Sequence, residues 1–169
     1  WIAARLNTRF IFQNPDDLLL FNDLGIIKKE KCYQVNGSGI DIAEFSFREI
    51  GGVIIFLCMA RLIKSKGLIE FANACRLVKK QVNNVQFYLA GPSDKHEDSI
   101  SVKEIKSKWK SVYGVEYLGN IDDVKEILSK CSCYVLLSYN EGTPRSVLEA
   151  MSIGRPIITT DTSGCRETV

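Results

Sequence analysis

The feature that most constrains the fold of this chain is the run GVIIFLCMA at residues 52–60, which is apolar throughout and does not alternate with polar residues. A strand with this pattern is covered on both faces, as in a parallel sheet between two layers of helices. The run is far shorter than the roughly 20 apolar residues that a membrane-spanning helix requires. It therefore predicts a central strand of an α/β domain.

Further short apolar runs alternate along the chain with segments of helical periodicity. Predicted strands cover residues 9–13, 32–35, 85–91, 115–119, 133–138 and 155–160. Predicted helices cover residues 14–25, 66–80, 101–112, 122–131 and 143–154. Because strands that alternate with helices over short connections form parallel sheets, the sequence predicts a doubly wound, Rossmann-like α/β fold. The 169 residues correspond to about one domain.

Residue types at the ends of the segments predict where the first helix begins and stops. Asn14 fits an N-cap, Pro15 fits the first helical position, and Gly25 fits the stop. In the helix predicted at 66–80, the spacing of apolar residues indicates one buried face. This face comprises Leu68, Ala72, Cys75 and Val78.

Composition excludes several classes of function. The net charge is only +2, so bulk charge does not favour nucleic acid as a partner. The one histidine, His96, excludes a histidine-rich metal site, and we expect no metal. The six cysteines form no Cys-x-x-Cys pair and are expected to be reduced core residues of a cytoplasmic protein. Neither the glycine-rich dinucleotide motif nor the P-loop motif is present.

Two cations follow the predicted central strand. Ligands of parallel sheets bind beyond the carboxyl ends of the strands, and Arg61 and Lys66 lie directly after residue 60. Their guanidinium and ammonium groups are suited to neutralising a diphosphate. The alternative interpretation, a solvated loop with two incidental cations, stays open on this segment alone.

The segment NEGTPRSVLEAM, residues 140–151, has the features of a helix that begins at an anion site. Thr143 fits an N-cap and Pro144 fits the first helical position. The amides of Arg145 and Ser146 would then point free N–H groups beyond the edge of the sheet, where they could bind an anion. The apolar residues expected to face the core are Val147, Leu148 and Met151.

Two glutamates bracket this helix start. Glu141 precedes the helix, and Glu149 lies about two turns into it. Because a carboxylate accepts hydrogen bonds from vicinal hydroxyls, one acid is suited to a ribose and the other to a sugar. Gly142 would let the backbone approach a ligand closely. The alternative is a capped surface helix with two solvated glutamates, and the segment alone does not decide between them.

In combination, the segments EGTPRSVLEAM, GRPIITTDTSGCRE, ARLIKSKG and NGSGIDIAEF resemble the retaining GT-B glycosyltransferases of the group 1 family, which carry an E-x7-E motif. The similarity extends from Phe10 to the end of the chain. It implies the C-terminal half of a GT-B fold, with residues 1–169 as the donor-binding domain of a longer two-domain enzyme. The segments FIFQNPDDLLLF and GSGID are most similar to bacterial capsular and surface-polysaccharide enzymes.

The resemblance implies roles for individual residues. Arg61 and Lys66 would hold the donor diphosphate and stabilise its charge during the reaction. Glu149 would bind the ribose, and Glu141 would contact the transferred sugar. Backbone amides would hold phosphate or sugar around Gly142, Thr143, Arg145 and Ser146. The segments GPSD and GNID, at residues 91–94 and 119–122, would border the nucleobase.

The implied activity is transfer of a sugar from a nucleotide-diphosphate donor to a glycan or lipid-linked acceptor. The expected donor is a UDP-sugar. The resemblance also implies retention of configuration, no metal, and no cofactor besides the nucleotide-sugar. The acceptor would bind through an N-terminal domain outside this chain, so we expect the chain alone to bind donor without useful turnover. The expected location is the cytoplasm or the inner face of the membrane, with peripheral association of the full-length enzyme. The main alternative is an inactive nucleotide-binding or interaction module of the same fold.

Overall fold

The structure, a computed structural model, describes residue 6 and residues 8–169, and seven strands run through this part of the chain. They are β1 (Phe10–Phe12), β2 (Cys32–Gln34), β3 (Ile54–Met59), β4 (Val85–Ala90), β5 (Val115–Tyr117), β6 (Cys133–Leu136) and β7 (Ile157–Thr159). Strands β3 to β7 form a parallel sheet in the order β5-β4-β3-β6-β7, and β1 and β2 form a separate parallel pair. The central place of β3 confirms the prediction from the apolar run.

The helices alternate with the strands as the sequence predicts. They are α1 (Pro15–Asp23), α2 (Leu68–Lys79), α3, α4 (Val124–Lys130) and α5 (Arg145–Ser152). Helix α3 runs through three contiguous segments, Val102–Glu104, Ile105–Trp109 and Lys110–Tyr113, of which the middle one has π-helical hydrogen bonds. Short 3₁₀ turns occur at Lys29–Lys31, Lys64–Lys66 and Arg166–Thr168.

Strand β3 contributes neighbouring residues to two separate clusters of buried side chains. Cys58 lies in a cluster with residues of α2 and α3, whereas Leu57 lies in a cluster with residues of α4 and α5. Helices therefore cover both faces of the sheet. This arrangement explains why the sequence of β3 does not alternate, and it confirms the doubly wound α/β fold.

Helices α2 and α3 differ in detail from what their sequences suggest. In α2, Leu68, Ala72 and Cys75 are buried as predicted, but Val78 is 37% exposed and Phe71 is buried instead. The buried stripe follows the spacing i, i+3, i+4 and i+7, and Val78 lies at its edge. In α3, which the sequence presents as polar, two side chains are buried against the sheet, namely those of Ile105 and Trp109.

All six cysteines are free thiols, and five of them are buried. Burial raises the pKa of the Cys58 thiol to about 12. Burial also raises the pKa of Cys131 to about 11, against a smaller lowering effect of Arg155. The Cys58 and Cys131 thiols are therefore protonated at neutral pH. The prediction of core cysteines is confirmed for the five buried residues, whereas Cys32 is only partly buried. Within the described residues, no helix has both the length and the apolar character needed to cross a membrane.

Helix α1 begins as the sequence predicts. The Asn14 side chain accepts a hydrogen bond from the amide of Asp17 at 2.8 Å, and Pro15 occupies the first helical position. Gly25 follows the helix with a φ of +66°, a conformation that favours glycine. Together β1, α1 and β2 form a small βαβ unit beside the main sheet, and Asn14 is one of the residues that connect this unit to the loop after β6.

Candidate active site

Four strands of the main sheet end at the same edge, and the loop after each carries residues that the sequence assigns to the site. Arg61 and Lys66 follow β3, and the loop after β6 carries Glu141 to the start of α5. The segment 91–94 follows β4, and the segment 119–122 follows β5. The topology therefore gathers side chains from distant parts of the sequence at one edge, where ligands of parallel sheets bind.

A cavity of about 220 Å³ lies at this edge. Residues from the predicted site that line it include Arg61, Gly91, Pro92, Asn120, Ile121, Ser146 and Glu149. The segments predicted to border a nucleobase thus share a cavity with the predicted diphosphate and ribose ligands. Lys66, Glu141, Gly142 and Thr143 are not among the residues that line it.

Glu149 lies between this cavity and a second one of about 530 Å³, which also includes Glu44, Asp122 and Arg145 in its lining. The Glu149 residue is only 8% exposed, and its Oε1 accepts a hydrogen bond from Nε of Arg145 at 2.9 Å. Burial raises the pKa of Glu149 above its usual 4.5, while Arg145 opposes this shift and Glu44 adds to it. A solvated surface glutamate would have none of these properties, so that interpretation is wrong for Glu149.

The turn that carries Lys66 is held against the end of β6. Gly67 follows the turn with a φ of +66°, and a Cβ atom there would lie 2.0 Å from the carbonyl oxygen of Leu137. The amide of Tyr139 donates a hydrogen bond to the carbonyl of Ser65 at 2.9 Å. Only a glycine at position 67 allows the two loops to approach this closely.

This close approach brings Lys66 and Glu141 together. The Nζ atom of Lys66 lies 2.6 Å from Oε1 of Glu141, and the two side chains are 16% and 17% exposed. The sequence predicts both residues as ligands but does not predict their pairing. Because both charges are largely removed from water, each depends on the other for compensation. The alternatives of an incidental solvated Lys66 and a solvated Glu141 are therefore wrong.

Arg61 is the more accessible of the two predicted diphosphate ligands. Its side chain is 57% exposed, and Nη1 lies 2.8 Å from Oδ2 of Asp94 in the loop after β4. The backbone amide of His96 lowers the pKa of Asp94, burial opposes this effect, and Arg61 lowers it further. Arg61 is therefore oriented by a carboxylate but remains open to solvent at the mouth of the cavity.

The start of α5 differs from the prediction by one residue. The helix begins at Arg145, Pro144 is the N-cap in an extended conformation, and no side chain caps the helix. The N-cap predicted at Thr143 is therefore wrong. Its hydroxyl instead donates to the carbonyl of Gln13 at 3.5 Å, and a Cβ atom at Gly37 would lie only 2.7 Å from the Cβ of Thr143. These contacts with the N-terminal part of the chain hold the side chain away from the helix.

The amides at the start of α5 are placed as the sequence predicts. The first amide bonded within the helix is that of Val147, which donates to the carbonyl of Pro144 at 3.0 Å. Within residues 8–169, the amides of Arg145 and Ser146 have no hydrogen-bond acceptor. Two free donors at the positive end of a helix dipole form a position suited to an anion.

Gly142 does allow a close approach, but in this structure the neighbour is a side chain of the protein. A Cβ atom at Gly142 would lie 2.2 Å from Oε1 of Gln13. The predicted contact between Gly142 and a ligand stays a prediction.

Tyr134 supports the site from below and is not among the residues predicted from the sequence. Its side chain is fully buried, and its hydroxyl lies 2.7 Å from Oγ of Ser146 and 3.0 Å from the carbonyl oxygen of Met59. It thereby joins β6, β3 and α5 beneath the cavity. The available signal was a tyrosine in an otherwise apolar buried strand, because a buried tyrosine hydroxyl requires a hydrogen-bond partner.

No group of three or more histidine, cysteine, aspartate or glutamate side chains is arranged to hold a metal ion in the described part of the chain. Independence from metal stays a prediction, since a metal ion could also be bound by the phosphates of the donor together with the protein.

Comparisons with known proteins find relatives of this chain in sequence and in fold. The chain is 31% identical over 182 residues to the N,N'-diacetylbacillosaminyl-diphospho-undecaprenol alpha-1,3-N-acetylgalactosaminyltransferase of Campylobacter jejuni, a match that covers 99% of this chain and 46% of the relative. It is 26% identical over 174 residues to the putative colanic acid biosynthesis glycosyltransferase WcaL of Salmonella typhimurium, covering 94% of this chain and 43% of the relative. The chain thus spans about half the length of these relatives.

Among solved structures, the chain superposes on Anabaena HepE in complex with UDP and glucose with a TM-score of 0.83 and 20% sequence identity, covering 99% of this chain and 48% of HepE. This similarity shows a fold shared with GT-B glycosyltransferases. The family model of the group 1 glycosyl transferases matches residues 53–169, which include every predicted site residue. The chain therefore belongs to the group 1 glycosyl transferases.

Proposed function

We propose that the protein transfers a sugar from a UDP-sugar to a glycan or lipid-linked acceptor, with retention of configuration. The observation that carries this proposal is the meeting of Arg61, Ser146 and Glu149 around one cavity, at the sheet edge where Lys66 and Glu141 also lie. Cations, free helix amides and buried carboxylates are the groups that a sugar nucleotide requires for its diphosphate and its hydroxyls.

The donor would lie along the carboxyl edge of the sheet. We place its ribose at Glu149, its base against the segments after β4 and β5, and its diphosphate near Arg61, Lys66 and the amides of α5. HepE was solved with UDP and glucose, which supports a UDP-sugar as donor. The Campylobacter jejuni relative is named for an undecaprenol-linked acceptor, which supports a lipid-linked one.

The chemical demand on this site is stabilisation of the leaving group. When the bond between the sugar and the diphosphate breaks, negative charge grows on the phosphate oxygen. This charge would be stabilised by Arg61, Lys66 and the amides of Arg145 and Ser146, which the fold positions near the diphosphate before the reaction. Loss of one such donor typically raises the barrier by about 3 kcal/mol.

We also propose that this chain is the donor-binding domain of a two-domain enzyme, and that the acceptor binds to the other domain. The supporting fact is that the chain covers 46% of the Campylobacter jejuni relative. The proposed place of work is the cytoplasm, at the inner face of the membrane, because a lipid-linked acceptor is held there. Peripheral association of the whole enzyme with that membrane is part of this proposal.

The proposed division of labour between the two acids can be tested by titration of UDP and UDP-glucose. Glu149→Ala is expected to weaken both ligands, because both carry the ribose. Glu141→Ala is expected to weaken UDP-glucose alone. Each loss should be about 1.5–3 kcal/mol, the range for hydrogen bonds to a charged group. Isothermal titration calorimetry of the four variant–ligand pairs measures these losses.

The matched control is Glu126→Ala, which removes an exposed acid from the surface of α4. Its affinities should stay within about 0.5 kcal/mol of the unmodified chain. Equal losses of plain UDP in the Glu141 and Glu149 variants would contradict the division of labour, even if the cavity is the donor site.

The raised pKa of Glu149 predicts a pH dependence of donor binding. Ribose hydroxyls donate to the ionised carboxylate, so the affinity for UDP-glucose should fall as pH decreases through the raised pKa of Glu149, above its usual 4.5. The contribution of Glu149 to the stability of the free protein should change in the opposite direction, because a carboxyl with a raised pKa stabilises the fold at low pH and loses this effect as pH rises.

This pH dependence is measured by titrating UDP-glucose and by melting the free protein between about pH 4 and pH 7. Glu149→Gln has no titrating group at this position, so the part of each pH dependence that Glu149 causes should be absent in this variant. UDP-glucose is the better ligand here because plain UDP has a terminal phosphate with its own pKa of about 6. An unchanged pH profile in the glutamine variant would assign the dependence to another group.

Metal independence gives a further expectation. Treatment with EDTA should leave the affinity for UDP-glucose unchanged, because Arg61 and Lys66 supply the positive charge that a divalent ion would otherwise provide. Calorimetry with EDTA and with added magnesium measures this directly. An affinity that requires magnesium would place the protein in a different mechanistic class of transferase.

A further inference from the structure

Asn14 has more hydrogen bonds than a helix cap requires. The residue is fully buried, and its Oδ1 atom accepts from the amide of Asp17 at 2.8 Å and from Oγ of Ser163 at 3.0 Å. Its Nδ2 atom donates to Oδ2 of Asp17 at 2.9 Å, to the carbonyl of Glu141 at 3.2 Å and to the carbonyl of Gly142 at 3.4 Å. The cap uses the oxygen alone, so the nitrogen is available to the loop after β6.

The two carbonyls that Asn14 contacts belong to consecutive residues, Glu141 and Gly142, which lie 127 and 128 positions away in the sequence. Because Asn14 Nδ2 donates to both carbonyls, it limits rotation of the peptide that joins Glu141 to Gly142. The Glu141 side chain leaves the backbone at the first of these residues, so its direction depends on that peptide.

The same short segment is held from its other side by residues that precede the C-terminal turn. The amide of Glu141 donates to the carbonyl of Ser163 at 3.1 Å. Gly164 lies so close that a Cβ atom there would be 2.1 Å from the Glu141 carbonyl oxygen. Ser163 also donates to Asn14, so Asn14 and residues 163–164 hold the segment between them.

We infer that Asn14 is a positioning residue, which fixes the backbone of Glu141 and Gly142 so that the Glu141 carboxylate is aimed at the transferred sugar. The claim that Asn14 affects sugar binding rests on the proposed function, whereas the claim that Asn14 fixes the loop after β6 does not. Asn14 lies in the βαβ unit outside the main sheet and outside residues 53–169, which the family model matches.

The first test measures the loop without any ligand. Hydrogen–deuterium exchange of the segment 139–144 is compared between the unmodified chain and Asn14→Ser, which keeps a good N-cap oxygen but loses the amide donor. We expect exchange of this segment to be at least about tenfold faster in Asn14→Ser, because its carbonyls lose their partner and the segment opens more often. Asn14→Asp, which keeps the shape and replaces the nitrogen with oxygen, is the second variant.

The matched control is Leu18→Ala, which removes a buried side chain from the same helix without altering any atom of Asn14. A purely structural role of α1 predicts that the control and Asn14→Ser accelerate exchange of the segment 139–144 to the same degree. That result, or no acceleration in Asn14→Ser and Asn14→Asp, overturns the inference.

The second test measures ligand affinity. Asn14→Ser is expected to bind UDP-glucose about tenfold more weakly, which equals about 1.4 kcal/mol, and to keep its affinity for UDP. Leu18→Ala should keep both affinities. Equal affinities of Asn14→Ser and the unmodified chain for UDP-glucose overturn the link to the sugar. If the unmodified chain does not bind UDP-glucose, the proposed function fails, and the exchange experiment still decides whether Asn14 holds the loop.

Discussion

Replacement of Gly67 by alanine is expected to lower the free energy of unfolding by about 3 kcal/mol, since two costs combine. The residue has a φ of +66°, where an L-amino acid is strained by about 1–2 kcal/mol. The new Cβ would lie 2.0 Å from the carbonyl oxygen of Leu137, which is a backbone atom and cannot rotate away. Moving the two loops apart resembles overpacking of a core, which costs about 1–3 kcal/mol. Chemical denaturation measures the change.

Gly25→Ala is the matched control for this prediction. Gly25 also has a φ of +66°, but nothing lies within 4 Å of a Cβ atom at this position. Its substitution should therefore cost only the conformational strain, about 1–2 kcal/mol. Equal losses in the two variants would show that the contact between Gly67 and Leu137 makes no contribution of its own.

Replacement of Lys66 by alanine is expected to reduce turnover of the whole enzyme by about 10²–10³-fold, the effect of removing one donor that stabilises developing charge. The same variant of this chain should bind UDP more weakly by about 1.5–3 kcal/mol. Arg61→Ala should weaken UDP by a similar amount. Steady-state kinetics with UDP-sugars measures turnover, and calorimetry measures affinity.

Lys64→Ala is the control, because Lys64 is an exposed cation in the same 3₁₀ turn. It should leave turnover and affinity unchanged. The melting temperature of each variant is needed for comparison, since Lys66→Ala also leaves the partly buried Glu141 carboxylate without its cation. Unchanged affinity for UDP in both Arg61→Ala and Lys66→Ala would place the diphosphate elsewhere. UDP binding without turnover in the whole wild-type protein would favour the inactive nucleotide-binding module.

The elements that the sequence predicted correctly are those set by local patterns. The apolar run at β3 indicated its central place because both faces of the strand are covered, and the Asn14 and Pro15 signals located the start of α1. These features depend on neighbours within a few residues. The alternation of strands and helices then predicted which loops lie at the carboxyl edge of the sheet.

The sequence could not predict contacts that tertiary structure creates. The pairing of Lys66 with Glu141 joins residues 75 positions apart, and it depends on the close approach at Gly67. Thr143 fits an N-cap by local rules, yet the competing contact with Gln13 comes from 130 positions away. The burial of Glu149 likewise depends on segments that its helix does not contain.

Met151 illustrates the limit of periodicity within a single helix. It was predicted to face the core, but it is 42% exposed, whereas Ala150 and Val147 are fully buried. The buried stripe of α5 also includes Glu149, at a position where the sequence gives no reason to expect burial. Hydrophobic periodicity alone does not identify a buried polar residue of this kind.

The Lys66–Glu141 pair has a consequence for the order in which a donor is recognised. The Lys66 ammonium and the Glu141 carboxylate form an ion pair with an Nζ to Oε1 distance of 2.6 Å. If the diphosphate engages Lys66 as proposed, the same event releases the Glu141 carboxylate for the sugar hydroxyls. Full access of a sugar to the Glu141 carboxylate is then conditional on this exchange of ionic partners, because a free monosaccharide would meet a carboxylate whose Oε1 is already paired with Lys66. Discrimination among sugars would accordingly be confined to molecules that arrive attached to a diphosphate.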